Sequence, residues 1–176
     1  NKISLSIADV CDDDDMTVKN FEALIRPETK AVVCTAASNV TGRIMPIKAI
    51  AEICRKNDVC FIVDGAQACG IIDIKMSDGI NILCTAGHKG LYGITGTGLL
   101  ISDGKYKIKP IIEGGTGSSS SSLIQPQQLP DSLESGTVNV IGAVSVKAGI
   151  DFVKRIGIDK IYIHETKLCN KFISQL

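Results

Sequence analysis

The sequence predicts an α/β fold with a mostly parallel mixed sheet between helical layers. Short apolar runs rich in β-branched residues, typical of buried strands, occur at 30–35, 59–63, 80–85 and 98–101. Helical patterns alternate with these runs, which favours a three-layer sandwich. The chain has 176 residues, 44% of them hydrophobic and 22% charged, enough for one domain with a core.

The first elements follow from local patterns in chain order. Alternating apolar residues over 3–7 predict a strand. The acidic run 12–15 predicts a solvated cap for a helix over 17–26, because carboxylates stabilise helix N-termini. Pro27 then ends that helix. The run 30–35 is expected to be a buried strand.

Helical spacing marks the later elements. Pro46 opens a predicted helix. Its apolar stripe consists of Ile47, Ile50, Ala51 and Cys54. Two further helices are predicted over about 141–156 and 160–176, and His164 lies on the stripe of the last one. That position favours a packed or half-exposed helix residue over a ligand.

The segment 110–138 interrupts this regular pattern. It is rich in Gly, Ser, Gln and Pro and contains five consecutive serines at 118–122. Such a composition does not build a packed core, so we expect 110–138 to be a mobile loop.

Charge and cysteine content exclude several classes of protein. The 19 basic and 19 acidic residues cancel and aromatic residues are few, which argues against nucleic acid as a partner. No apolar run reaches the roughly 18 residues of a membrane span, and we expect no signal peptide. Seven cysteines without a CxxC pair, and two distant histidines, argue against a metal site. We expect buried free thiols and a reducing cytoplasm.

Polar side chains follow three of the predicted strands. Ligands of open α/β sheets bind beyond the carboxyl ends of strands, so these groups converge on one cleft if the strands are neighbours. They are Asn39, Asp64, Gln67, His88 and Lys89.

These groups are the ones needed to hold pyridoxal 5'-phosphate (PLP). The Asp64 carboxylate would keep the pyridine nitrogen protonated, and Gln67 would donate to the phenolic oxygen of the ring. Lys89 would form the Schiff base. His88 could stack on the ring or relay protons, and Asn39 could hold the carboxylate of an amino-acid substrate.

Other interpretations of these short motifs remain open. A strand-end aspartate is often only a turn cap, and D-x-x-Q and H-K occur by chance. A nucleotide-binding module is a weaker alternative. The glycines over 93–98 lack the G-x-G-x-x-G order and precede a strand rather than a helix.

Several dispersed motifs together resemble one known family. They are ASNVTG at 37–42, VDGAQ at 63–67, GHKG at 87–90, GITGTG at 93–98, GGTGS at 114–118 and ESGTVN at 134–139. From about residue 30 to 176 the chain resembles the class V aminotransferase-fold family, and within it the cysteine desulfurase and selenocysteine lyase group.

The resemblance implies a PLP-dependent enzyme of fold type I that forms a homodimer. It implies that Lys89 is the Schiff-base lysine, Asp64 the pyridinium partner, Gln67 the phenolate contact and His88 the stacking residue. Asn39 resembles the substrate-carboxylate contact. Thr116 resembles residues that reach the partner subunit's phosphate.

The sequence also departs from the family. Ala86 stands where many relatives have a Ser or Thr that binds phosphate, and Ile94 and Val138 replace prolines. We expect 1–176 to be the central part of the PLP-binding large domain. The N-terminal region and the small C-terminal domain, with the catalytic Cys and the substrate-carboxylate Arg, are expected to lie outside this chain.

The implied reaction converts L-cysteine, or a similar amino acid, to L-alanine and transfers sulfur to an enzyme cysteine. A sulfur-acceptor protein is a possible partner. The alternatives are an aminotransferase, a selenocysteine lyase, a β-lyase, or a non-catalytic structural or dimerising core. We expect this chain alone to be inactive.

Overall fold

A four-stranded mixed sheet forms the centre of the protein, seen in a computed structural model that describes residues 3–118 and 122–176. The strands are β1 (Ala31–Thr35), β2 (Cys60–Asp64), β3 (Ile82–Ala86) and β4 (Gly98–Ser102). Their spatial order is their chain order; β1, β2 and β3 are parallel, and β4 is antiparallel to β3. The predicted α/β fold with a mostly parallel mixed sheet is confirmed.

Four α-helices accompany the sheet in the described residues: α1 (Asp14–Leu24), α2 (Ile47–Lys56), α3 (Val140–Ile156) and α4 (Ile158–Ile173). Helix α1 begins three residues earlier than predicted. The reason is that Asp13 is its N-cap, with the Asp13 Oδ1 accepting a hydrogen bond from the Met16 N–H at 2.7 Å. The other helices match their predicted positions to within three residues.

The core lies between helix α2 and one face of the sheet. The predicted stripe of α2 is buried, and Ile50 has 0% of its surface exposed. Phe61 and Val63 of β2 belong to the same apolar cluster and are also fully buried. The helical spacing therefore identified the inward face of α2 correctly.

Two predictions about strands are wrong. Residues 3–10 form no strand, and Ile3, Leu5 and Ile7 are 91%, 84% and 80% exposed. Alternation supplies an apolar face, but a strand also needs a neighbour to hydrogen-bond, and the described residues provide none here. In β1 only Cys34 is buried, because β1 is an edge strand in the described part of the sheet.

The segment 110–138 has no helix or strand in its described residues, and residues 119–121 lie outside them. The buried Gln125 side chain organises part of it. The Gln125 Oε1 accepts from the Gly114 N–H at 2.9 Å, and its Nε2 donates to the carbonyl oxygens of Asp131 and Glu134 at 2.9 and 3.1 Å. Mobility of 110–138 stays a prediction.

The cysteines of the described residues are free thiols, and three of them, Cys34, Cys54 and Cys60, are buried. Burial raises the pKa of Cys34 to about 11 and that of Cys54 to about 12. His164 is exposed on α4. In the described part of the chain, no helix combines the length and apolar character that crossing a bilayer requires.

Candidate functional site

Neighbouring strands end together at the carboxyl edge of the sheet. Asp64, the last residue of β2, is in register with Thr35 of β1 and Cys84 of β3. Strand β3 ends two residues later, at Ala86, and His88 and Lys89 follow after Gly87. Parallel pairing therefore places the turn after β2 and the turn after β3 at the same edge, as the sequence predicted.

The turn after β2 orients the Asp64 side chain. Its Oδ1 accepts a hydrogen bond from the Ala66 N–H at 2.9 Å, so the carboxylate caps the start of the turn. The Gly65 N–H donates to the Cys84 carbonyl oxygen at 2.7 Å, which ties this turn to β3. Asp64 is exposed and Gln67 is half-buried.

The turn after β3 is closed by backbone hydrogen bonds. The Gly93 N–H donates to the Gly87 carbonyl oxygen at 2.8 Å, and the Tyr92 N–H donates to the Lys89 carbonyl oxygen at 2.9 Å. Tyr92 adopts a φ of +54°, a left-handed conformation that is strained for a bulky side chain. His88 and Lys89 thus lie in a tight loop with a defined backbone.

Two glycines bring these turns into direct contact. A Cβ at Gly70 would overlap the Gly90 carbonyl group, and a Cβ at Gly90 would overlap the Cys69 carbonyl oxygen. The backbones therefore approach more closely than any other residue type would permit. This contact joins the turn of Asp64 and Gln67 to the turn of His88 and Lys89.

Helix α3 supports the loop after β3 from the other side. The Ser145 Oγ accepts a hydrogen bond from the Ile94 N–H at 3.0 Å. Gly149 packs so closely on the Leu91 carbonyl oxygen that a Cβ there would overlap it. The backbone that carries Lys89 is therefore held between the β2 turn and α3.

The four side chains on the two turns have few partners in the rest of the described chain. Within residues 3–118 and 122–176, the side chains of Gln67, His88 and Lys89 make no hydrogen bond or ion pair, and Asp64 makes only its bond to Ala66. Asp64 and Lys89 are not ion-paired there. A carboxylate, an amide, an imidazole and an amine on two contacting turns, with few internal partners, are typical of a ligand site.

Asn39 and Thr116 lie in other loops. Asn39 is exposed in the loop after β1, and β1 ends beside Asp64 at the same edge of the sheet. Thr116 is half-buried in the Gly-rich segment, where its Oγ1 lies 3.5 Å from the Ser118 Oγ. Within the described residues, no side-chain hydrogen bond joins Thr116 to the other candidates.

The cavities of about 540 Å³ and 370 Å³ lie elsewhere. The larger is lined by residues of 102–113 and 126–133, and the smaller mainly by residues of 44–49 and 72–78. Neither is lined by any of the six candidate residues. The candidates therefore lie outside both cavities.

Two half-buried thiols, Cys69 and Cys84, lie close to the Asp64 carboxylate. Burial and the negative charge of Asp64 raise the pKa of Cys84. Burial also raises the pKa of Cys69; a hydrogen bond with Thr85 lowers it, and Asp64 raises it. Only the parallel register of β2 and β3 could have placed Cys84 beside Asp64.

We expect Asp64→Asn to accelerate alkylation of Cys84. A negative neighbour disfavours the thiolate, so its removal lowers the thiol pKa and increases the reactive fraction at about pH 8. Iodoacetamide labelling of the cofactor-free protein, followed by peptide mass spectrometry, measures the rate. Cys34 is an internal control, because burial alone raises its pKa, and Asp73→Asn is the matched surface variant. An unchanged Cys84 rate would show that the carboxylate does not face this thiol.

The whole chain, residues 1–176, matches the aminotransferase class-V family. A similar curated protein is a probable cysteine desulfurase of Halalkalibacterium halodurans, 33% identical over 169 residues; the match covers 93% of this chain and 41% of that protein. The chain thus spans about two fifths of the length of this relative.

Solved structures agree with this match. The apo structure of a cysteine desulfurase from Thermococcus onnurineus NA1 has a TM-score of 0.76 and 29% identity, covering 89% of this chain and 40% of that chain. The structure of SspA in complex with cysteine has a TM-score of 0.64 and 26% identity, covering 76% of this chain and 36% of that chain.

Proposed function

Since this chain belongs to the aminotransferase class-V family, we propose that it is the cofactor-binding part of a cysteine desulfurase. The full-length protein would convert L-cysteine to L-alanine and transfer sulfur to one of its own cysteines. The observation that carries the proposal is the contact between the Asp64–Gln67 turn and the His88–Lys89 turn at one sheet edge. Similarity to desulfurases, and to SspA, whose solved structure contains cysteine, supports it.

The residues at this edge fit PLP by the chemistry of their side chains. Asp64, Gln67, His88 and Lys89 offer an acid, an amide, an aromatic ring and an amine. Within the described residues, the bond from the Ala66 N–H to Asp64 is the only hydrogen bond of these four side chains. Ala86, which ends β3, offers only a methyl group, which cannot donate a hydrogen bond to a phosphate. Phosphate contacts would therefore come from other residues, and we propose that Thr116 contacts the phosphate of a partner subunit.

Bound PLP supplies an electron sink for bond cleavage in the amino acid. The Asp64 carboxylate, oriented by the Ala66 N–H, would accept a hydrogen bond from the protonated ring nitrogen. Gln67 would donate a hydrogen bond to the phenolic oxygen, and His88 would cover the face of the ring. Lys89 would hold the cofactor covalently and move the proton at the substrate Cα.

The proposal extends to the assembly and its surroundings. We propose a cytoplasmic homodimer, with 110–138 as a mobile loop and with the N-terminal region and the small domain supplied by the remainder of the full-length protein. The catalytic Cys and the substrate-carboxylate Arg would come from that remainder, and a sulfur-acceptor protein would receive the sulfur. The partial coverage of the relatives supports this division.

We expect the full-length protein with PLP to form alanine from L-cysteine. With dithiothreitol present, the enzyme persulfide is reduced, so sulfide is released in equal amount to alanine. Chromatography of the amino acids and a colorimetric sulfide assay measure both products. Formation of pyruvate and ammonia would indicate a β-lyase instead. Formation of a keto acid only when an amino-group acceptor is present would indicate an aminotransferase. Activity on selenocysteine but not on cysteine would indicate a selenocysteine lyase.

The isolated segment 1–176 is the matched comparison. We expect it to be inactive, because the proposed catalytic Cys and substrate-carboxylate Arg would lie outside it, and positioning losses reduce rates by orders of magnitude. Sulfide release by this segment alone would contradict that expectation. If the full-length protein forms no product from any of these substrates, that result would favour a non-catalytic structural or dimerising core.

A further inference from the structure

The loop that carries Asn39 is closed across its base by Arg43. The Ser38 N–H donates to the Arg43 carbonyl oxygen at 2.9 Å. The Ser38 Oγ accepts from the N–H groups of Val40 and Thr41, each at 3.2 Å. The backbone on both sides of Asn39 is therefore fixed relative to Arg43.

The Arg43 side chain ties this loop to the start of helix α1. Its Nη2 lies 2.9 Å from the Asp14 Oδ1, and its Nη1 lies 3.7 Å from the Asp12 Oδ1. Asp14 is the first residue of α1. The ion pair joins residues 29 positions apart and connects the Asn39 loop to a helix that carries none of the candidate residues.

Arg43 is more buried than its ion pair alone would favour. Its side chain is 23% exposed, whereas that of Asp14 is 61% exposed. The Nε is buried without a hydrogen-bond partner in the described residues. A buried unpaired donor lowers stability, and ion pairs with an exposed carboxylate add little. Orientation of the loop explains this residue better than a gain in stability.

We propose that Arg43 is a positioning residue for substrate binding. Through Asp14 it holds the loop so that the Asn39 amide donates to the α-carboxylate of the amino-acid substrate. This inference rests on the proposed function, since it assigns the carboxylate contact to Asn39. It adds a residue that contacts no substrate and acts through Asn39.

The first test separates binding from chemistry in the full-length PLP-loaded protein. We expect Arg43→Ala to raise the KM for L-cysteine about tenfold and to leave kcat within about twofold, because only the carboxylate contact is displaced. Arg43→Lys should restore part of the affinity for L-cysteine, because lysine keeps the positive charge but lacks the planar guanidinium group. The double variant Arg43→Asp with Asp14→Arg exchanges the two charges. Its KM for L-cysteine should be closer to the wild-type value than that of either single variant. Arg26→Ala, which breaks an exposed ion pair with Glu28, is the matched control.

A second measurement asks whether the loss is specific to the carboxylate. Binding of L-alanine and of L-alaninamide, which lacks that charge, is followed by the absorbance of the bound cofactor. We expect Arg43→Ala to weaken L-alanine binding and to leave L-alaninamide binding unchanged. If Arg43→Ala does not fold, Asp14→Ala breaks the same pair from its exposed side and is measured in the same way.

The outcomes separate this inference from the proposed function. An unchanged KM in both Arg43→Ala and Asp14→Ala, or equal weakening of both ligands, overturns the role of Arg43. The proposed function fails on a different observation, namely cofactor absorbance that survives Lys89→Ala together with no alanine formed from cysteine. A protein that passes those two tests and fails the Arg43 test retains its proposed function.

Discussion

Lys89→Ala is expected to abolish covalent attachment of PLP and to lower the activity by a factor of at least about 10³. The reason is that the change removes the only amine among the four side chains on the two turns. The measurements are the visible absorption of the full-length protein after free cofactor is removed, and sulfide release from L-cysteine. Borohydride reduction followed by peptide mass spectrometry should find the cofactor mass on the wild-type peptide that contains Lys89.

Lys75→Ala is the control for Lys89→Ala. Lys75 is an exposed lysine that pairs with Asp73 at 2.6 Å on the surface, so its loss should change neither absorbance nor rate. Cofactor mass on another lysine, or absorbance that persists in Lys89→Ala, would refute the role given to Lys89. The assignment of Asp64 and Gln67 would fall with it, because it depends on the same turn-to-turn contact.

Gly70→Ala is expected to have the second largest effect, on both stability and cofactor binding. Gly70 has a φ of +92°, and a Cβ there would overlap the Gly90 carbonyl group. The left-handed backbone and the forced separation of the two turns together should lower the free energy of unfolding by about 2–5 kcal/mol. The separation also moves Lys89 away from Asp64, so PLP affinity should fall. Urea unfolding and PLP titration measure the two effects.

Gly104→Ala isolates the contribution of the contact. Gly104 has a similar φ of +81°, but no atom lies within 4 Å of a Cβ built on it. Gly104→Ala should therefore lower the free energy of unfolding only through its left-handed backbone, by about 1–2 kcal/mol, and leave PLP affinity unchanged. Equal losses of stability and of PLP affinity in Gly70→Ala and Gly104→Ala would mean that the close contact between Gly70 and Gly90 does not hold the two turns in place.

Much of the site could be predicted because local patterns encode it. Asp64 and Lys89 each follow an apolar run that forms a strand, and parallel strands place their carboxyl ends at one edge. The same reasoning failed for residues 3–7, whose alternation has no strand partner in the described residues. It also failed for the burial of β1, since an edge position depends on which other elements are present.

The contacts that define the site in detail could not be predicted in this way. The Gly70–Gly90 approach and the Arg43–Asp14 ion pair join segments 20 and 29 positions apart, and no periodicity marks either of them. The closeness of Cys84 to Asp64 likewise depends on the register of two strands. Each depends on packing geometry rather than on residue type.

By itself the sequence determined the α/β class, the order of most strands and helices, and the side chains that can do chemistry, because backbone preference and hydrophobic spacing act over a few neighbouring residues. Only the tertiary structure decided which strand lies at the edge, how closely the turns after β2 and β3 approach, and that an arginine anchors the Asn39 loop. Those outcomes depend on steric fit and ion pairing between residues far apart in the chain.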